Sequence, residues 1–242
     1  MFELALAFLT LTVLEIVLGI DNIVFISLLT GRLPAEDRNR ARITGLAVAM
    51  GARIGLLLSI TFVMKLVDPL FVILESEISG KDLILILGGL FLLYKSVSEI
   101  HGRFDETKHG SERQKKVSGF GQVILQIVII DIVFSLDSVI TAVGMSSDIG
   151  VMIAAVVVAV IFMMFFSKSI SDFVEKYQSI KILALAFLVM IGVLLVAEGF
   201  DQHIPKGYIY FAMAFSIGVE MININLDKRY GLIAGKMPEE KP

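Results

Sequence analysis

Seven stretches of this chain are apolar over about the length that crosses a bilayer, and nothing else in it constrains the fold as strongly. A spanning helix needs about 20 mostly apolar residues. By that criterion the spans are residues 2–29, 43–66, 83–100, 120–144, 151–166, 182–200 and 208–222. Lipid offers no hydrogen bonds to the backbone, so such spans satisfy their own N–H and C=O groups as helices. The fold class is therefore an all-α polytopic membrane protein. A hydrophobic share of 56% and a mean hydropathy of +0.84 place the chain beyond ordinary soluble domains. Asp68-Pro69 closes the second span, and residues 70–74 are apolar but too short to cross. Met1-Phe2-Glu3 carries no basic cluster, so the first span reads as a retained helix rather than a signal peptide.

Two of these spans contain the same acidic pattern. Glu15-Ile16-Val17-Leu18-Gly19-Ile20-Asp21-Asn22 and Asp131-Ile132-Val133-Phe134-Ser135-Leu136-Asp137-Ser138 each set a carboxylate six positions before an Asp, which Asn or Ser follows. A small residue, Gly19 or Ser135, stands two before the Asp. A charge at the centre of a spanning helix costs about 2.5–3.5 kcal/mol on insertion scales, so four in a duplicated pattern read as a site. Thr12, Glu15, Gly19 and Asn22 recur at helical spacing, as do Asp131, Ser135 and Ser138, with Thr141 a turn later. Gly19 is also a position where the first helix is able to break and free carbonyl oxygens. The blander reading, polar residues that only join helices, suits Asn22, Ser135, Ser138 and Thr141 taken alone.

Lys and Arg fall mostly on one side of the membrane. Arg32, Arg38, Arg40 and Arg42, the basic residues of segment 101–118, and Lys168, Lys176, Lys181, Lys228, Arg229, Lys236 and Lys241 share it. Lys65, Lys81 and Lys206 occupy the other. The positive-inside rule then puts the N-terminus outside and the C-terminus in the cytoplasm. The two acidic helices consequently run in opposite senses. The whole chain reads as a single membrane domain, with repeat one at 1–100, a cytoplasmic loop at 101–118, repeat two at 119–200, and an extra helix and frayed tail at 201–242. An inverted three-plus-three repeat with polar residues at its interface is a transporter pattern. In it Glu15 and Asp131 face each other near the midplane, with Asp21 toward the cytoplasm and Asp137 toward the outside.

The donor set is all oxygen. There is no cysteine, and His101, His109 and His203 lie in polar connections. Hard divalent ions, Mn²⁺, Ca²⁺ or Mg²⁺, suit such a set better than Cu⁺ or Zn²⁺. Arg53 lies inside the second span, as a counter-ion for the acidic cluster or as the partner of one carboxylate. Lys95 and Glu99 are placed to snorkel, and Glu198 and Glu220 near span ends read as interfacial. Gly88, Gly89 and Gly192 suggest close helix packing. No phosphate-binding loop or nucleophile–His–Asp set is visible, and nothing points to nucleic acid.

The two acidic motifs, with the segment Ile204-Pro205-Lys206-Gly207-Tyr208 through Ser216, resemble the TerC (tellurium-resistance C) family of membrane proteins over essentially the whole chain. That family is similar in turn to the LysE superfamily of exporters. The resemblance implies export of a divalent metal, Mn²⁺ foremost. The oxygen donor set puts Ca²⁺ next, the ion moves either against protons or down its own gradient, and no permanently bound cofactor is expected. The resemblance also implies Glu15, Asp21, Asn22, Asp131, Asp137 and Ser138 as metal-path residues, a multi-pass protein of the inner membrane, and leaves a homodimer open. Two rival readings remain: an intramembrane aspartyl protease using Asp21 and Asp137 as its dyad, and a membrane scaffold that assists metallation or insertion of other proteins. The charge asymmetry gives a direct test of topology: reporter fusions at Glu106 and at the C-terminus should both read cytoplasmic, and opposite readings at the two points would remove the inverted-repeat arrangement.

Overall fold

The computed structural model describes residues 2–73, 76–109, 119–145, 148–202 and 204–230. Most of the polar joint (110–118) and the tail (231–242) lie outside the described residues. The elements in order are α1 (Phe2–Thr30), α2 (Ala35–Leu58), α3 (Ile60–Lys65), β1 (Pro69–Ile73), β2 (Ser76–Ser79), α4 (Gly80–His109), α5 (Phe120–Met145), α6 (Ile149–Lys176), α7 (Gln178–Glu198) and α8 (Lys206–Tyr230). Among the described residues, seven helices are long and apolar enough to cross a membrane: α1, α2, α4, α5, α6, α7 and α8. All seven expected spans are present.

The element ends differ from the apolar runs in ways that have physical causes. Helix α4 continues through His109 and α6 through Lys176, because a helix does not stop where lipid stops. The polar segment after residue 100, expected as loop, therefore begins as helix. The second span is interrupted at Ser59, whose backbone N–H reaches Gly55 O at 2.9 Å before α3 resumes. Residues 70–74 largely belong to a short antiparallel hairpin, with Phe71 opposite Ile78 and Val72 opposite Glu77. Pro69 opens the first strand, a place where its missing N–H costs no ladder bond.

Among the described residues, the starts of α4 and α6 carry side-chain caps. Ser79 N–H and Oγ both donate to Asp82 Oδ2, at 2.9 and 2.6 Å, while Asp82 N–H donates back to Ser79 Oγ at 3.2 Å. This capping box satisfies orphan donors in the first turn of α4. Asp148 does the same for α6, accepting from Gly150 N at 2.8 Å and Val151 N at 3.2 Å.

Packing is built on three helix pairs. Helix α1 lies against α6, α4 against α7, and α2 against α5, with α8 joined to the rest chiefly through α7. The principal pairs are unchanged when α1, α2 and α4 are exchanged with α5, α6 and α7: α1–α6 becomes α5–α2, and α4–α7 maps to itself. One core cluster runs through the centre and includes Leu11, Ile23, Leu57, Leu92, Ile127, Leu136, Met163 and Leu188. Apolar side chains also cover the outside, as a lipid-facing surface requires. Leu87 and Tyr94 on α4, Phe165 on α6 and Phe211 on α8 are all exposed.

Glycines set the closest approaches. A Cβ on Gly89 would lie 2.7 Å from Gly192 O, and one on Gly192 would lie 3.0 Å from Gly89 O. The α4 and α7 backbones therefore touch, and small residues are what permits it. Gly19 plays a similar part on α1. The helix runs unbroken through this position, where the sequence left a break open, and the missing side chain leaves a notch that Met163 of α6 fills. Replacing Gly89 or Gly192 with Val should lower thermal stability in detergent by an amount corresponding to about 1–3 kcal/mol. Gly51→Ala, at a site with nothing within 4 Å of the added Cβ, should not lower it. Equal effects at all three sites would contradict the close crossing.

Candidate functional site

The site is assembled from α1, α2 and α5. Along α1, Thr12, Glu15, Gly19 and Asn22 are all buried, as the helical spacing predicts. Along α5, Asp131, Ser135 and Ser138 are buried as well. Thr141 is exposed and does not belong to the stripe. Ten residues beyond Asp131 it has turned about 80° off that face, at roughly 100° per residue.

Arg53 of α2 joins the two acidic helices. Its side chain is 4% exposed and its guanidinium pairs with Glu15 Oε2 through Nη1 and with Asp131 Oδ1 through Nη2, the latter at 2.8 Å. Of the two sequence readings, Arg53 as shared counter-ion is therefore the one the geometry has. Asn22 Nδ2 donates to the same Asp131 Oδ1 at 3.0 Å. Asp131 Oδ2 is buried and has no hydrogen-bond partner among the described residues. Glu15 of α1 and Asp131 of α5 thus meet across a guanidinium of α2 rather than directly. A planar fork with donors on separate nitrogens suits this role, since it reaches two carboxylates at once and never loses its charge.

The second Asp of the α5 motif has a lysine partner. Asp137 Oδ1 lies 3.3 Å from Lys81 Nζ, with both side chains about a fifth exposed at 18% and 20%. Lys81 is the second residue of α4, so the capping box at Ser79 is what presents it to α5. Asp21 lies on α1, but its side chain falls outside the described residues. Asn22, Arg53, Asp137 and Ser138 line a small cavity of about 50 Å³, closed on its apolar side by residues such as Leu18 and Phe134. Among the described residues, no three His, Asp or Glu side chains are gathered as a ready-made metal cage.

Further ion pairs lie at the other end of the bundle. Arg32 pairs with Glu99, and Arg38 Nη1 pairs with Glu175 Oε2 at 2.7 Å. Glu99 thus has a specific partner where the sequence suggested only snorkelling. Glu220 accepts from Asn223 at 3.4 Å on α8.

Known proteins match this arrangement closely in sequence. The signature of the "Integral membrane protein TerC family" matches residues 2–230. The chain belongs to the TerC family. A UPF0053 protein of Haemophilus influenzae is 57% identical over 225 residues, covering 93% of this chain and 94% of that one. The UPF0053 inner membrane protein YgdQ of Escherichia coli is 54% identical over 220 residues, covering 91% of this chain and 92% of the relative. The longer inner membrane protein YoaE of the same organism is 50% identical over 215 residues, 89% of this chain but 42% of its own length. No solved structure matches this TerC-family chain.

The central cluster predicts a specific pattern of stability. Removing one member of a buried ion group leaves the others uncompensated, at about 3–5 kcal/mol. Arg53→Leu should therefore lower the detergent melting temperature sharply, and adding Glu15→Gln and Asp131→Asn should recover much of the loss. Strict additivity of the three changes would contradict the bridged geometry.

Proposed function

We propose that this inner-membrane TerC-family protein exports a divalent metal cation, Mn²⁺ before Ca²⁺, through the cluster between α1, α2 and α5. The observation that carries this reading is the buried Glu15–Arg53–Asp131 group. Two carboxylates from the two acidic motifs already hold one positive charge between them, inside helices that span the membrane. A group that stabilises a buried cation there, with one carboxylate oxygen of Asp131 left over, has the elements of a cation-binding station. The available ligands are carboxylate, amide and hydroxyl oxygens, which favours hard ions over thiophilic ones.

In this reading Glu15 and Asp131 form the central station, with Asn22 and Ser138 as neutral oxygen donors beside it. Asp21 and Asp137 recruit and release the ion on the cytoplasmic and outer sides. The exchange symmetry of the helix pairs supports an inverted repeat, with the N-terminus outside, and rocking of one half against the other alternates access. The ion is the cargo, and no resident cofactor is required.

Purified protein in vesicles loaded with Mn²⁺, Ca²⁺, Zn²⁺ or Cu²⁺ in turn tests the reading. Mn²⁺ should leave fastest, and Glu15→Gln or Asp131→Asn should reduce its rate to that of protein-free vesicles. Faster passage of Zn²⁺ or Cu²⁺, or a Mn²⁺ rate indifferent to both substitutions, would contradict it.

A further inference from the structure

We infer that Arg53 is a tethered cation that stands in for the transported metal, so that the emptied site returns across the membrane without taking up a proton. The inference rests on the transport reading above and concerns how that same site resets.

Three observations carry it. First, the guanidinium occupies the position a bridging ion would take, with one nitrogen on Glu15 and another on Asp131. Second, Asp131 uses only Oδ1 for Arg53 and Asn22, while the buried Oδ2 has no hydrogen-bond partner among the described residues. An incoming cation therefore finds one unoccupied oxygen before Arg53 has moved. Third, the cavity beside the guanidinium is also lined by Asp137, a carboxylate to which the head group can withdraw.

The two states differ by one unit of charge: the group is neutral around a divalent ion and carries one negative charge around Arg53. Glu15 and Asp131 carry two negative charges, and a divalent ion neutralises them. Arg53 then pairs with Asp137, releasing Lys81, whose side chain is 20% exposed and sits in the first turn of α4 where water can solvate it. When the metal leaves, two bare carboxylates facing each other in an apolar interior are strongly disfavoured. Arg53 returns and restores the group present in this structure. Arginine keeps its charge at any physiological pH, so this return needs no proton supply. The ion pairs also cross between the two halves: Arg53 from the first grips Asp131 in the second, and Lys81 from the first grips Asp137. Metal entry thus replaces these two direct pairs with one, Arg53 to Asp137, and with the ion held between Glu15 and Asp131.

The test separates net Mn²⁺ efflux into a metal-free medium from Mn²⁺/Mn²⁺ exchange, in vesicles carrying an internal pH dye. Wild-type protein should perform both, with no stoichiometric proton entry. Arg53→Gln should keep exchange, since the metal itself fills the site on both limbs, and lose net efflux by roughly tenfold or more. Arg53→Lys covers the case in which Arg53→Gln does not fold. Lysine retains the charge but cannot fork across two carboxylates, so net efflux should persist and half-saturating Mn²⁺ should fall several-fold. Net efflux at the wild-type rate in folded Arg53→Gln would overturn the inference, as would loss of exchange in that folded variant. An unchanged Mn²⁺ requirement in Arg53→Lys, or proton entry at a fixed ratio in wild type, would also do so. Wild-type vesicles that move no Mn²⁺ in either mode would instead remove the transport reading itself, and this inference with it.

Discussion

The structure depends on one buried electrostatic arrangement, the guanidinium of Arg53 held between Glu15 and Asp131. Each of these charges alone would be poorly tolerated in a membrane-spanning helix. Together they form a nearly dry ionic group whose net charge is one negative unit, and Asn22 supplies a further hydrogen bond to the same carboxylate. The three ionised residues come from three different helices, so the group also fixes where α1, α2 and α5 meet. Its cost and its positioning value are inseparable: a misplaced helix would leave at least one charge without a partner.

Around that group the helices are held by contact rather than by exclusion of water. Lipid tails are as apolar as Leu and Ile, so burying a Leu between helices gains little over leaving it in lipid. What remains is close approach, and the glycines on α4 and α7 supply it by letting two backbones touch. The exposed apolar side chains on α4, α6 and α8 complete the surface that lipid wets. At the ends of the bundle, capping residues and ion pairs take over, because there water is the competitor.

Much of this was legible from residue order. Continuous apolar runs identify spanning helices directly, since the membrane sets their length, and the buried stripes on α1 and α5 follow from helical spacing. The Ser79 and Asp148 caps were equally open to reading, as a hydroxyl or carboxylate standing just before a helix. Elsewhere the residue types were ambiguous. Gly19 is compatible with a helix break or with a notch, and only the position of Met163 decides between them. Arg53 has several potential partners within reach, so which carboxylates it joins is a matter of tertiary geometry. The hairpin was hidden because a short apolar run reads equally well as loop, strand or helix fragment. The aqueous ends of α4 and α6 were missed because hydropathy reports immersion in lipid, not helicity.

The notch at Gly19 has a chemical consequence. Its occupant is a thioether, flexible enough to fit between α1 and α6 but open to oxidation at sulfur. A Cβ at Gly19 would already overlap Met163 Sδ, so an oxygen placed on that atom has no room toward α1. A methionine sulfoxide at 163 would wedge the helix that carries Glu15 and Asn22 away from its principal neighbour. Met163 is 2% exposed, so the packing that would make the lesion damaging also keeps oxidants from the sulfur. Repair enzymes would be equally shut out, which makes damage at this position, once done, persistent for as long as the bundle stays folded.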